Sequence, residues 1–224
     1  MDWLHAADQG ITADFIGNCL YYLVQFFPGS NEAERYNSLH AHMEAYYIRE
    51  GVPDRLDCLK KNFVLGSGGG VKLKCSAAKC RQLVPYIREL CSELCDPENP
   101  VEQSMLVASE HLQAVYECLS SSHANAAETF KDNSIKFALQ YVALSDHFQP
   151  VDDRLFRIKP KLHFFLHLCS DGGQPSQHWC YRDEDFGGSI AKAARRRGGM
   201  SKPGATSTRV LQCLAIGTPL LCVK

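Results

Sequence analysis

The stretch TADFIGNCLYYLVQFF, residues Thr12–Phe27, decides the fold class. Apolar side chains recur in it at the spacing of an α-helix, at Phe15, Cys19, Tyr22, Leu23 and Phe26. Pro28 and Gly29 follow directly. Both residue types end helices, because proline lacks a backbone N–H and glycine adopts the left-handed conformation without strain. The stretch therefore predicts a helix whose apolar side chains belong to the core.

Helical periodicity continues through most of the chain. Proline, glycine and polar clusters separate further predicted helices, over residues 30–50, 54–63, 74–95, 101–119 and 124–148. Pro85 should kink or interrupt its helix, because it removes a backbone hydrogen bond. Leu155–Ile158 is the best strand candidate, and Leu162–Cys169 fits a buried helix or a buried strand. The predicted fold is mainly α, a bundle-like helical array with at most one or two short strands.

These patterns also predict the core. The expected members are apolar and recur on one face of each helix. They are Phe15, Cys19, Leu23, Phe26, Leu39, Met43, Leu83, Ile87, Leu90, Leu112, Tyr116, Phe137, Tyr141 and Leu144.

The composition is that of a globular protein. Of the 224 residues, 45 % are hydrophobic and 22 % are charged, which argues against wholesale disorder. The longest apolar run, FIGNCLYYLVQFF, contains Asn18 and Gln25 and is too short to span a bilayer, so no membrane segment is predicted. The N-terminus lacks the pattern of a secretory signal. We expect an intracellular, non-secreted protein whose eleven cysteines are reduced thiols.

A basic cluster follows three acids near the C-terminus, in HWCYRDEDFGGSIAKAARRRGG, His178–Gly199. Its cations suit non-specific contacts with DNA phosphates, which would make binding strongly salt dependent. The predicted DNA-binding residues are Lys192, Arg195, Arg196, Arg197 and Lys202. The alternative is a solvated helix end, because cations near a helix C-terminus also stabilise the helix dipole.

A second cluster contains potential zinc ligands. His163 and His167 stand four residues apart, which is one turn of a helix. Cys169, His178 and Cys180 follow within the next thirteen residues and complete a candidate zinc set. The alternative is a pair of half-buried histidines on an apolar helix face, since HFFLH lacks the glutamate of a zinc-protease motif.

Three blocks together resemble the C-terminal half of the transposases of CACTA-type and related cut-and-paste elements. The first is DWLHAADQGITADFIGNCLYYL, similar to the family's Asp-x-x-His block with its following apolar helix. The second is KCSAAKCRQLVPYIREL, and the third is KPKLHFFLHLC followed by HWCYRDEDFGGSIAKAARR. The resemblance covers about residues 2 to 210 and lies in the order and spacing of the blocks.

The resemblance implies an RNase H-like nuclease core interrupted by a helical insertion, here about residues 30–150. Asp2 would match the second acid of the family's Asp-Asp-Glu set, with His5 as its motif companion, and Glu184 would match the final acid. Asp2 and Glu184 would then be ligands of Mg²⁺ in a two-metal phosphodiester transfer. The first catalytic aspartate should lie upstream of Asp2, so we expect a fragment or a decayed derivative that is catalytically incomplete alone.

The sequence divides into four predicted regions: an N-terminal helix over 1–29, a helical domain over 30–150, a strand and helix segment over 151–198, and a basic tail over 199–224. The resulting hypothesis is a transposable-element-derived protein that binds DNA and is nuclear. A second copy of the chain is another partner that this hypothesis allows. The alternative is a helical protein-interaction or scaffold module without enzymatic activity, whose cysteines and aromatics form the core.

Overall fold

The computed structural model describes residues 2–66, 69–120 and 126–170, all within the unit Met1–Trp179. The predicted mainly α fold is confirmed. The α-helices are α1 Ala13–Leu23, α2 Glu32–Arg49, α3 Lys61–Val64, α4 Ala77–Gln82, α5 Val84–Leu94, α6 Pro100–Ser120, α7 Ala126–Phe148 and α8 Pro160–Ser170. A π-type helical segment, Leu4–Thr12, precedes α1, and an isolated bridge between Leu65 and Val71 is the only β pairing in the described part of the chain.

Helix α1 lies at the centre of this array and is buried on almost every side. Its aromatic residue Phe15 contacts Phe137 of α7 and Phe156, with ring centroids 5.3 and 6.2 Å apart. Three of its buried residues, Asp14, Gly17 and Asn18, are polar or lack a side chain. Burial of such residues in a central helix requires specific partners, since an unpaired polar group in the core is costly.

The predicted core is buried except for one residue. Phe26 is 47 % exposed, whereas the thirteen other residues are all buried. The cause is a change of helix type, because α1 ends at Leu23 and continues as the 3-10 turn Val24–Phe26. A 3-10 turn has three residues per turn instead of 3.6, so it moves Phe26 out of the apolar stripe while Val24 is buried.

The strand predicted for Leu155–Ile158 is wrong. Leu155 and Phe156 form bends, Arg157 and Ile158 have no regular structure, and the consecutive side chains of Leu155 and Phe156 are both buried. A half-buried strand would alternate instead. Phe156 has a φ of 46°, a left-handed conformation that non-glycine residues adopt only when their surroundings hold them there. Its ring stacks on Phe148, and its amide donates to Asn18 Oδ1 at 2.8 Å.

Two predicted helices differ from the observed ones in their bounds. Residues 74–95 form two helices, α4 and α5. Pro85 lies at the second position of α5, where a backbone N–H would have no intrahelical acceptor, so the proline costs no hydrogen bond. The helix predicted over 54–63 is reduced to the single turn Lys61–Val64. Leu162–Cys169, for which the sequence fitted either a buried helix or a buried strand, is helical and lies within α8.

An extended segment, Val71–Lys74, crosses α1 at Gly17. The Leu73 amide donates to the Ala13 carbonyl at 2.9 Å, while Lys72 N and Lys74 N donate to Val64 O and Phe63 O, each at 2.7 Å. A Cβ atom at position 17 would lie 2.6 Å from the Lys72 carbonyl carbon. Only glycine therefore allows the two backbones to approach this closely.

Replacing Gly17 by alanine should destabilise the protein. Alanine in an unobstructed helix stabilises by roughly 0.5–1 kcal/mol relative to glycine, but overpacking a filled site typically costs about 1–3 kcal/mol. We expect the free energy of unfolding of Gly17→Ala, measured by urea denaturation, to fall by about 2 kcal/mol.

The matched control is Gly70→Ala, since a Cβ atom there would meet nothing closer than Arg157 Nη1 at 4.0 Å. Its free energy of unfolding should stay within about 0.5 kcal/mol of the parent protein. Equal stabilities of the two variants would contradict the crossing at Gly17.

Candidate functional site

Three lysines from separate parts of the chain converge beside the kink in the π-type segment. Lys72 Nζ and Lys161 Nζ both donate to the Gln9 carbonyl, at 2.5 and 3.3 Å. Lys159 Nζ lies 2.8 Å from Asp14 Oδ1. We call Lys72, Lys159 and Lys161 the lysine triad. Its three ammonium groups lie near two carboxylates, Asp14 and Asp2, so the site carries a local excess of positive charge.

Asp14 is the buried counter-ion of the lysine triad. Its side chain is 1 % exposed, and its Oδ2 atom has no hydrogen-bond partner within the described ranges. Burial raises the pKa of Asp14, while the ion pair with Lys159 opposes that rise. Burial and the positive charge of Lys72 lower the pKa of Lys161. Both shifts have burial as their largest cause, so the site is partly removed from water.

Helix α1 positions two of the three lysines. Gly17 allows the segment that carries Lys72 to pass against the helix. Asn18 Oδ1 holds the amide of Phe156, three residues before Lys159. Lys161 belongs to α8, which packs against the π-type segment through the ring contact of Phe165 with Trp3. The site therefore depends on tertiary contacts.

Gly10 sets the position of the carbonyl that the lysines share. Its backbone is non-helical, with φ −107° and ψ −114°, and it interrupts the π-type segment directly after Gln9. A Cβ atom at position 10 would lie 2.9 Å from the His5 carbonyl oxygen and 3.0 Å from Lys161 Cδ. The kink directly follows the Gln9 carbonyl, to which Lys72 and Lys161 donate.

Asp2 and His5, predicted from the Asp-x-x-His block, lie together. His5 Nδ1 is 2.9 Å from Asp2 Oδ2, and the His5 amide donates to Asp2 Oδ1 at 3.3 Å. The pair is on the surface, with the His5 side chain 49 % and the Asp2 side chain 24 % exposed. This is the geometry of an N-terminal helix cap, and a carboxylate that orients an imidazole is also common in metal and acid-base sites.

A buried acid that the sequence analysis did not single out lies one helical turn further. Tyr116 donates to Asp8 Oδ1 at 2.5 Å, and its hydroxyl is 2.8 Å from Thr12 Oγ1. The Arg81 guanidinium lies 5.9 Å from the centre of the Tyr116 ring. Burial raises the pKa of Asp8 to about 7, although the Tyr116 hydrogen bond and Arg81 oppose the change. Asp8 therefore exchanges a proton near neutral pH.

The candidate zinc ligands divide between two faces of α8. His163 and His167 are exposed, with their Nε2 atoms 3.0 Å apart. Cys169 is buried on the opposite side, and burial raises the pKa of its thiol to about 12, so it stays protonated. In residues 2–66, 69–120 and 126–170, no group of three or more histidine, cysteine, aspartate or glutamate residues is placed to hold a metal ion.

The remaining predicted site residues lie outside the described residues. They are Glu184, the DNA-binding residues Lys192, Arg195, Arg196, Arg197 and Lys202, and the zinc ligands His178 and Cys180. The Mg²⁺ pairing of Asp2 with Glu184 therefore stays a prediction. Five of the cysteines in the described part of the chain are buried free thiols: Cys19, Cys80, Cys91, Cys95 and Cys169.

The lysine triad was missed in the sequence, although it leaves a signal there. Lysines alternate with other residues in VKLK, Val71–Lys74, and in KPK, Lys159–Lys161. Alternation puts the side chains of an extended segment on one side. Two short alternating basic segments, each beside a proline or a glycine run, could indicate a shared basic surface.

No family model, curated protein or solved structure matches this chain. Among the described helices, none is long and apolar enough to cross a membrane.

The buried Asp8 should make stability depend on pH. Its pKa of about 7 in the folded protein lies above the ordinary value of 3.8, so the folded state binds the proton more tightly than the unfolded state. The contribution of Asp8 to the free energy of unfolding therefore falls as pH rises from about 4 to about 7. Asp8→Asn keeps an acceptor for Tyr116 but cannot ionise, so its unfolding free energy should lose this part of the pH dependence.

Thermal or urea unfolding at pH 5 and pH 8 measures the difference. The control is Asp57→Asn, whose side chain is 92 % exposed in the parent protein. A pH profile of Asp8→Asn that matches the profiles of the parent and of the Asp57→Asn control would contradict the buried titration.

Proposed function

We propose that this chain is a transposase-derived protein that binds the phosphate backbone of DNA without reading its sequence. The observation that supports the proposal is the lysine triad, in which two ammonium groups share one neutral backbone carbonyl. A lysine ammonium has three donors, so Lys72 and Lys161 keep donors for another acceptor. A phosphate oxygen would form stronger, charge-assisted hydrogen bonds with them than the carbonyl does.

Charges around the lysine triad extend the basic surface in the described part of the chain. Arg157 precedes Lys159 by two residues and is 42 % exposed, and its partner Asp153 is exposed as well. Lys74 is exposed and donates only to the carbonyls of Asn62 and Leu65 among the contacts found. Exposed pairs of this kind are weak, so a polyanion can compete with them.

The resemblance to cut-and-paste transposases is the reason that the proposed nucleic acid is DNA. Lys74 begins the second resembling block, Lys72 lies two residues before it, and Lys159 and Lys161 lie at the start of the third block. A helical transposase-derived protein that contacts DNA through these blocks and through Arg195–Arg197 would be nuclear. Any Mg²⁺ would be held by Asp2 and Glu184, and strand transfer is not part of this proposal.

A separate observation favours a helical interaction module as the second candidate. Ile135 and Leu139 stand one turn apart on α7 and are 41 % and 63 % exposed. Apolar residues four positions apart share one helix face. If this face is an interface, light scattering across a concentration series should detect association, and Leu139→Lys should abolish it.

The test of DNA binding is a salt series with a labelled random duplex, from about 50 to about 200 mM salt. Each lost phosphate contact reduces the log-log slope by about 0.9. We expect Lys72→Gln/Lys161→Gln, measured by fluorescence anisotropy, to weaken binding and to reduce the slope by about 1.8. Lys159 is left in place because it is the partner of the buried Asp14.

The matched control is Lys131→Gln/Lys136→Gln, which removes the same charge from exposed positions of α7. Its slope should equal that of the parent protein. A third variant, with Arg195, Arg196 and Arg197 changed to alanine, tests the predicted basic cluster separately. No binding by the parent protein at the lowest salt would contradict the proposed function, and equal slopes in the two lysine variants would contradict the role of the lysine triad.

A further inference from the structure

His163 and His167 form an exposed pair of imidazoles on α8. Their Nε2 atoms are 3.0 Å apart, their ring centroids are 4.3 Å apart, and the ring planes cross at 84°. Both side chains are exposed, so a solvated ion can reach the two nitrogens. The pair is separate from the lysine triad, and nothing in the proposed DNA binding uses it.

We propose that His163 and His167 form a two-ligand site for a divalent transition-metal ion, with Ni²⁺ and Cu²⁺ as the best-suited ions. Imidazole nitrogens are good ligands for both. Metal to imidazole distances are about 2.0–2.1 Å, so two neighbouring ligands at 90° lie about 2.9 Å apart and two at the tetrahedral angle lie about 3.3 Å apart. The observed 3.0 Å is closer to the right-angled arrangement of square-planar and octahedral ions.

The helix fixes the pair in this geometry. Leu162, Phe165 and Cys169 of α8 are buried, and Phe165 contacts Trp3 and Phe137 with ring centroids 5.6 and 5.7 Å apart. The opposite face, which carries both histidines, is therefore held at a fixed rotation. A pre-organised pair of ligands loses little conformational entropy when the ion binds.

Binding requires both Nε2 lone pairs. In the free protein one imidazole donates its Nε2 proton to the other, so that ring must carry its proton on Nδ1 when the metal binds. The proton moves through solvent, and two metal–nitrogen bonds replace two metal–water bonds of the hydrated ion. Water molecules keep the coordination positions that no described residue occupies, because Cys169 is buried on the other side of α8.

The experiment is a calorimetric titration of the full chain with Ni²⁺, with a phosphine reductant present to keep the thiols reduced. Either His163→Gln or His167→Gln leaves a single ligand and should weaken the Ni²⁺ affinity by about 10–100-fold, because the second bond is then no longer intramolecular. The double variant should bind little more weakly than either single variant, since each single change already removes the chelate.

The matched control is His147→Gln, which removes an exposed histidine of α7. Its Ni²⁺ affinity should equal that of the parent protein, and contributions from thiols are common to all five proteins. Circular dichroism checks that each variant is folded. Losses of the same size in His147→Gln and His163→Gln, or losses that add up in the double variant, would overturn the proposal.

Discussion

Gly17 lets the backbone of Val71–Lys74 touch α1, and there the Leu73 amide donates to the Ala13 carbonyl at 2.9 Å. The next residue of α1, Asn18, does the same for a second non-helical segment through the Phe156 amide. Acceptor groups of α1 thus bind backbone amides of these two segments, which neighbouring strands would bind in a sheet. Lys72 and Lys159 occupy their positions because of these two contacts, and Asp14 of the same helix neutralises Lys159.

The helices could be predicted because their signals are local. Phe15, Cys19 and Leu23 recur at helical spacing, and such spacing is visible in a single window of sequence. Asn31 caps the start of α2, since its side chain accepts from the Glu34 amide, and asparagine is a preferred residue at this position. Phe26 was misplaced because the sequence does not reveal that the helix tightens to a 3-10 turn after Leu23.

The candidate sites also differ in whether their sequence signal is local. His163 and His167 could be paired from sequence, because four residues make one helical turn. The convergence of Lys72 and Lys161 on the Gln9 carbonyl could not be predicted, because these residues meet only through packing across the fold. The prediction of a strand at Leu155–Ile158 was wrong because tertiary contacts also decide the backbone there. Burial of the Phe156 ring against Phe148 holds a left-handed backbone that local propensity disfavours.

Charge is unevenly distributed over the described part of the chain. The net charge of the whole chain is −1, so the proposed attraction for DNA depends on local concentrations of positive charge. The lysine triad concentrates positive charge around a single buried carboxylate, Asp14, and the π-type segment beside it carries His5 and the buried Asp8.

The most direct test of this account is native-state hydrogen exchange of the amides of Leu73 and Phe156. Both lie outside helices, yet the α1 contacts predict that they exchange as slowly as the amides of α1, in the same cooperative unfolding unit. Exchange of the two amides at the rates of exposed loops, with α1 itself protected, would contradict the anchoring of these segments on α1.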